Sequence, residues 1–155
     1  MEPGTGDTDT PAGGGASILA EDSLRLTLPA DPDYARVARS LAAGLALRLG
    51  FAYGEIEELR LAVDEVLILL LRGRRSEGSV VLTFVPTTDG IELDARALPP
   101  PDGPDADEMS VPGAEPEPDE SEFRARFEEL VSPIVDAWSI GDEGQHVHLS
   151  KHSSS

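Results

Sequence analysis

Glu65 is the residue of this sequence best placed to do chemistry. It lies in the run Glu57 to Arg72, where apolar residues recur at spacings of three and four, the pattern of a helix with a broad buried face. Its neighbours one turn away are apolar: Leu61, Ala62, Ile68 and Leu69. The Glu65 carboxylate therefore projects from an apolar strip, where an ionised group is costly unless something compensates its charge.

Two interpretations of Glu65 are open. In the first, the stem of the side chain packs at the edge of the buried face and the head group reaches water. In the second, the carboxylate is held in a cleft for proton transfer, because burial raises the pKa of a carboxyl group toward the range of a general base. The adjacent Asp64 has an ordinary explanation, since Arg60 lies four residues earlier and the two can pair on a solvated face.

Periodicity predicts the elements that precede this helix. Alternating leucines predict a strand over 24–28 with one buried face, ended by Pro29. An apolar stripe from Tyr34 to Leu49 predicts a helix that Asp31 or Asp33 can cap.

The elements after the helix follow the same logic. Alternating runs at 80–84 and 91–95, joined by the turn signal Asp89-Gly90, predict a hairpin. A second apolar stripe predicts a helix that begins at Ser121, and two further strands are predicted at 137–140 and 146–149.

The amino-acid composition limits the possible domain organisation and binding partners of the chain. The chain has 155 residues, enough for one domain with a core. Its net charge of −18 argues against direct nucleic-acid binding, which needs clustered bases. Cysteine is absent, which excludes thiolate metal sites, and no apolar run is long enough to span a membrane, so a cytoplasmic protein is expected.

Much of the acidity lies in two segments of low hydrophobicity. Residues 1–22 form a Gly-rich acidic leader, and residues 99–121 form an acidic, Pro-rich insertion; both compositions predict disorder. The predicted domain spans 23–152 and includes the insertion, and residues 153–155 are a frayed tail.

The run Leu-Arg-Leu-Ala-Val-Asp-Glu-Val at 59–66 resembles the motif helix of the GHKL (Bergerat-fold) ATPases, closest to the anti-sigma serine kinases that control stress and sporulation sigma factors. With the predicted elements, the resemblance implies an α/β fold, an α+β two-layer sandwich. Its sheet is mixed, mostly antiparallel and of about five strands, with about three helices covering one face. In that family a glutamate, here Glu65, is the general base, and an asparagine four residues later helps to hold magnesium. This chain has Leu69 at the asparagine position, and leucine has no oxygen ligand.

Three more nucleotide-binding elements of the family are degenerate here. The adenine-binding Asp-x-Gly-x-Gly matches Ala97 to Pro101, where Ala97 cannot accept a hydrogen bond and Pro99 and Pro101 replace the glycines. The Gly-x-Gly phosphate turn matches Ala125 to Phe127, with neither glycine present, and Gln145 replaces the threonine of the last strand. The insertion at 99–121 occupies the position of the ATP lid. The resemblance thus implies a pseudokinase in which Glu65 is a vestigial general base and no cofactor is expected.

Arg36 and Arg39, near the start of the first helix, gain nothing from the helix dipole, so a solvated face or a partner accounts for them. In the resembling kinases an arginine at the position of Arg36 contacts the sigma factor and its competitor. His146 and His148 share a strand face and, with His152, could suggest metal, but surface histidines are the preferred interpretation and no metal is expected.

The resulting hypothesis is a homodimeric anti-sigma factor that sequesters an RNA polymerase sigma factor without kinase activity. One alternative is an active serine kinase that uses ATP and Mg²⁺ to phosphorylate an anti-anti-sigma (STAS) protein. The other is a non-enzymatic interaction module with a different partner.

Overall fold

A computed structural model of the chain describes residues 22–72, 78–100, 120–141 and 144–154. It contains eight helices and strands, in chain order β1 Leu24–Pro29, α1 Ala35–Arg48, α2 Tyr53–Leu71, β2 Ser79–Pro86, β3 Gly90–Leu98, α3 Glu120–Val131, β4 Ala137–Gly141 and β5 His146–His152. A single 3-10 turn at Pro32–Tyr34 precedes α1. Residues 1–21 of the predicted leader and 101–119 of the predicted insertion lie outside the described residues.

The strands form one five-stranded sheet in the order β1-β2-β3-β5-β4. This confirms the predicted α+β architecture of about five strands and three helices. Each of the four strand pairings is antiparallel, so the sheet is not mixed. No helix in the described ranges is both long enough and apolar enough to cross a bilayer.

The core lies between the inner face of the sheet and the helices. In β2 the residues alternate between buried and half-buried, because successive side chains of a strand point to opposite faces. The inward residues Val80, Leu82 and Phe84 join buried side chains of α2 in one hydrophobic cluster. The helix α2 is thus the central helix of the core, as its broad apolar stripe predicts.

Polar side chains fix the starts of the first two helices. Asp31 accepts a hydrogen bond from the amide of Asp33 at 2.9 Å, so it caps the 3-10 turn that leads into α1. The helix α2 begins at Tyr53, four residues before the predicted start, and Glu55 accepts a hydrogen bond from the amide of Ala52 at 2.9 Å.

Two predicted boundaries fall on residues that the structure describes. The helix α3 already includes Glu120 and Ser121, the last two residues assigned to the insertion. In the tail, the amide of Ser153 donates to the Asp89 carbonyl at 2.8 Å and that of Ser154 to Glu55 Oε2 at 2.7 Å. The hydrogen bond from Ser154 to Glu55 links the segment after β5 to α2.

Glu55 gives the fold a defined pH dependence. Hydrogen bonds from Ala52, the largest cause, and from Ser154 lower the pKa of Glu55 below its ordinary value of 4.5. A lowered pKa contributes stability above pH 4.5 that is lost as the pH falls through the lower folded-state value. We expect Glu55→Gln to lower Tm at pH 7 and the difference from the wild type to shrink as the pH falls below 4.5, measured by thermal unfolding between pH 3 and 7. The control is Glu129→Gln, exposed on α3; a Glu55→Gln difference that grew in acid would contradict the prediction.

Candidate functional site

Glu65 lies in the middle of α2 and is only 4% exposed. Both of its carboxylate oxygens accept hydrogen bonds from Arg126 of α3, Nε to Oε1 at 3.0 Å and Nη2 to Oε2 at 3.2 Å. The first sequence-based interpretation, a head group that reaches water, is therefore wrong. The carboxylate is buried, as the second interpretation requires, but it faces the Arg126 guanidinium and not an open cleft for a substrate.

Arg126 forms the solvent side of this pair. Its side chain is 55% exposed, against 4% for Glu65. Hydrogen bonding to Glu65, reinforced by the negative charge of the carboxylate, raises the pKa of Arg126. In this arrangement both carboxylate oxygens of Glu65 face a cation, so the group is held in an internal ion pair.

Leu69, one turn after Glu65, is 1% exposed and belongs to the hydrophobic core. It provides no oxygen, and the Glu65 oxygens are bound to Arg126, so these two positions do not fit a magnesium ion. Within the ranges that the structure describes, no group of three or more His, Asp or Glu is arranged to hold a metal ion.

Ala97 and Gln145, matched from the sequence to two different nucleotide contacts, lie next to each other. The amide of Ala97 in β3 donates to the Gln145 carbonyl at 2.9 Å. Ala97 is buried, so its position contributes packing and not an acceptor for a ligand. Pro99 is exposed just after β3, and Pro101 lies outside the described residues.

Ala125 and Phe127 do not form a turn. Both lie inside α3, which has already begun by Glu120, so the match of a phosphate-binding turn to these residues is wrong. Phe127 is 1% exposed and packs edge-on against Trp138, with ring centroids 5.5 Å apart. Phe127 therefore fastens α3 to the core.

Arg39 is paired within the chain. Its Nη1 lies 2.5 Å from Asp64 Oδ1, and this contact joins α1 to α2. The expected pairing of Asp64 with Arg60 is wrong, because Arg60 instead contacts Glu57 at 3.2 Å. The packing of α1 against α2 determines the partner of Asp64. A pair within one helix contributes only a few tenths of a kcal/mol, so it does not prevent Asp64 from pairing with Arg39.

Arg36 lies on a groove at the start of α1, here called the α1 groove. The groove is lined by Pro32, Asp33, Tyr34, Arg36, Val37 and Arg39. A second groove, between α1 and α2, shares Arg39 with it and is lined also by Glu57, Arg60, Leu61 and Asp64. Tyr34, Val37 and Leu61 are among the exposed large apolar residues of the described chain, so cationic and apolar side chains meet on this surface.

Lys151 is a buried charged residue that the sequence analysis did not single out. It is 5% exposed, and its Nζ donates to Glu58 Oε1 at 2.9 Å and to the Ile134 carbonyl at 2.6 Å. The alternation of β5 could have predicted the burial of Lys151, because this residue follows Val147 and Leu149 on the inward face of the strand. Lys151 ties β5 to α2 and to the turn after α3.

The histidines of β5 each face a carboxylate. His146 Nε2 lies 2.5 Å from Asp94 Oδ1, and His148 Nε2 lies 3.6 Å from Glu92 Oε1. Both occupy the sheet face away from the helices and are partly exposed. His152 lies 3.8 Å from Asp136.

Comparison with known proteins identifies relatives for part of the chain. No family model matches it. It is 32% identical over 77 residues to the serine-protein kinase RsbW of Bacillus pumilus, covering 46% of this chain and 48% of that protein. It is 31% identical over 75 residues to serine-protein kinase RsbW of Listeria monocytogenes, with the same coverage, and 44% identical over 46 residues to that of Oceanobacillus iheyensis, with 30% and 29% covered. The chain thus spans about half the length, or less, of these curated relatives.

Proposed function

We propose that this chain, a relative of the RsbW serine-protein kinases and through them of the GHKL superfamily, is an anti-sigma factor that sequesters an RNA polymerase sigma factor by direct binding. The observation that carries the proposal is the position of Arg36. It is exposed on the α1 groove beside Tyr34 and Val37, and among the described residues it has no ion-pair partner. The resemblance assigns this same position to the contact with a sigma factor.

The charge distribution supports Arg36 as the leading contact. Arg39 is engaged by Asp64 and Arg60 by Glu57, so Arg36 is the arginine of this surface that can receive a carboxylate from a partner. A cation flanked by exposed apolar side chains is the composition of an interface hot spot. In a chain of net charge −18, a local cation also selects where an acidic partner segment docks.

We propose further that binding is stoichiometric and independent of ATP and Mg²⁺. The support is the Glu65 site: Arg126 occupies the carboxylate, and Leu69 offers no metal ligand. The sigma factor would then be held by surface contacts alone, and Glu65 would be a vestigial base in a pseudokinase.

The alternative is an active serine kinase that phosphorylates an anti-anti-sigma (STAS) protein. The name of the relatives and the presence of Glu65 favour it. It requires ATP and Mg²⁺ in a rearranged pocket, with Arg126 moved away from Glu65.

The test begins with recovery of the tagged chain from cells of its source organism under mild salt. We expect a sigma subunit to co-purify, and calorimetry with that purified subunit to give the same affinity with and without Mg-ATP. Repeated absence of a sigma subunit would overturn the sequestration proposal and favour a different interaction module. Transfer of labelled phosphate to an anti-anti-sigma protein would instead establish the kinase, and micromolar binding of Mg-ATP would favour it.

Two properties accompany the proposal. Binding of a sigma factor implies action in the cytoplasm, and the resemblance implies a homodimer. Light scattering is expected to give twice the mass of one chain; a monomer at micromolar concentration would contradict the dimer without affecting the proposed binding.

A further inference from the structure

Glu65 and Arg126, the two members of this ion pair, differ strongly in solvent exposure. The anion is almost fully buried in α2, and the cation is more than half exposed on α3. The two hydrogen bonds are of similar length, 3.0 and 3.2 Å, which is the bidentate geometry of a guanidinium facing a carboxylate. The arginine side chain is already in contact with water in this structure, whereas the glutamate side chain is shielded from it.

The surroundings of Glu65 leave few other sources of compensation. Ala62 and Leu69, each one turn away on α2, are buried and apolar. A buried carboxylate without a counter-ion is strongly unfavourable, and removing one partner of such a pair is far more damaging than replacing both. The charge of Glu65 therefore makes its burial dependent on the presence of α3.

Apolar side chains also attach α3 to the core. Phe127 and Val131 are its buried residues, and Arg126 immediately precedes Phe127. Docking of the apolar side chains and neutralisation of Glu65 thus occur together.

We infer that Arg126 is an internal counter-ion that latches α3 onto α2 and closes the Glu65 site from within the chain. While this contact is formed, the Arg126 guanidinium occupies the position from which a metal ion or a substrate hydroxyl would approach the Glu65 oxygens. This inference rests on the proposed function for the absence of catalysis by Glu65. It deepens that function by identifying Arg126 as the residue that occupies the Glu65 carboxylate. The domain then presents its α1 groove without needing a ligand at Glu65.

The test measures amide hydrogen exchange in α3 of the full chain without any partner. We expect Arg126→Ala to accelerate exchange there at least about tenfold, and Glu65→Gln by less than about threefold, because only the first leaves a buried charge uncompensated. The double variant Glu65→Gln/Arg126→Ala should be within about threefold of Glu65→Gln alone, which is the non-additivity expected of a coupled pair. Arg124→Ala, which removes an exposed arginine of the same helix, is the matched control.

A second measurement separates a counter-ion from general packing. Guanidinium at low millimolar concentration should restore protection of α3 in Arg126→Ala, while equal sodium chloride should not, and neither should affect the double variant. If Arg126→Ala does not fold, a folded double variant supports the latch. The inference is overturned if Arg126→Ala exchanges like Arg124→Ala, or if the double variant is as open as Arg126→Ala or fails to fold. None of these outcomes depends on whether a sigma factor binds.

Discussion

Leu69→Asn, which restores the asparagine that the resemblance assigns to magnesium, is expected to destabilise the domain and not to create a metal site. Leu69 is 1% exposed in the core, so the change removes buried methyl groups and inserts an amide. Large-to-small changes in cores cost about 2–5 kcal/mol, and a buried amide without partners adds about 1–3 kcal/mol. We expect a loss of about 3–8 kcal/mol in the free energy of unfolding, comparable to the whole stability of an ordinary domain.

Urea unfolding followed by tryptophan fluorescence measures this loss, because Trp138 is the single tryptophan and is a partly buried residue packed against Phe127 of the core. Leu69→Met is the matched control; it conserves volume and should cost less than about 1.5 kcal/mol. Calorimetry should show no Mg-ATP binding by Leu69→Asn. A stable Leu69→Asn variant that binds Mg-ATP would mean that the position faces a functional nucleotide pocket.

The elements that follow a simple hydrophobic period were predictable from the sequence. The leucine-rich stripe of α2 and the alternation in the β2–β3 hairpin identify the core, since one face of each must be buried. Element ends were less predictable. The α2 helix begins at Tyr53 and β5 extends to His152, where apolar periodicity is lacking. Hydrogen bonds between distant residues support these ends: Ser154 donates to Glu55 of α2, and His152 donates to Asp136.

The contacts of the candidate site were not predictable in the same way. Arg126 reaches Glu65 across 61 residues of sequence, and Arg39 reaches Asp64 across 25. Local spacing favoured Arg60 for Asp64, and the packing of α1 on α2 overrides that preference. The phosphate-turn match failed for a related reason: it requires the helix to begin near residue 127, whereas α3 already includes residues 120–131.

Arg36→Glu is expected to abolish binding of the proposed sigma factor while leaving the fold intact. The side chain is exposed and, in the part of the chain that the structure describes, makes no ion pair, so the free energy of unfolding should change by no more than about 0.5 kcal/mol. Binding should weaken by about 100-fold or more, because the reversed charge removes a cation at the centre of the contact and repels the partner carboxylate.

Arg25→Glu is the matched control, since it makes the same charge change on an exposed residue of β1, on the sheet face away from the helices. Titration calorimetry with the co-purified sigma subunit, repeated at two salt concentrations, separates local contact from long-range electrostatic effects, because only the latter are strongly screened. A loss shared equally by Arg36→Glu and Arg25→Glu would mean that net charge and not the α1 groove determines binding. A loss confined to Arg36→Glu that persists at high salt locates the contact at the start of α1, where Asp64 holds the neighbouring Arg39 in place.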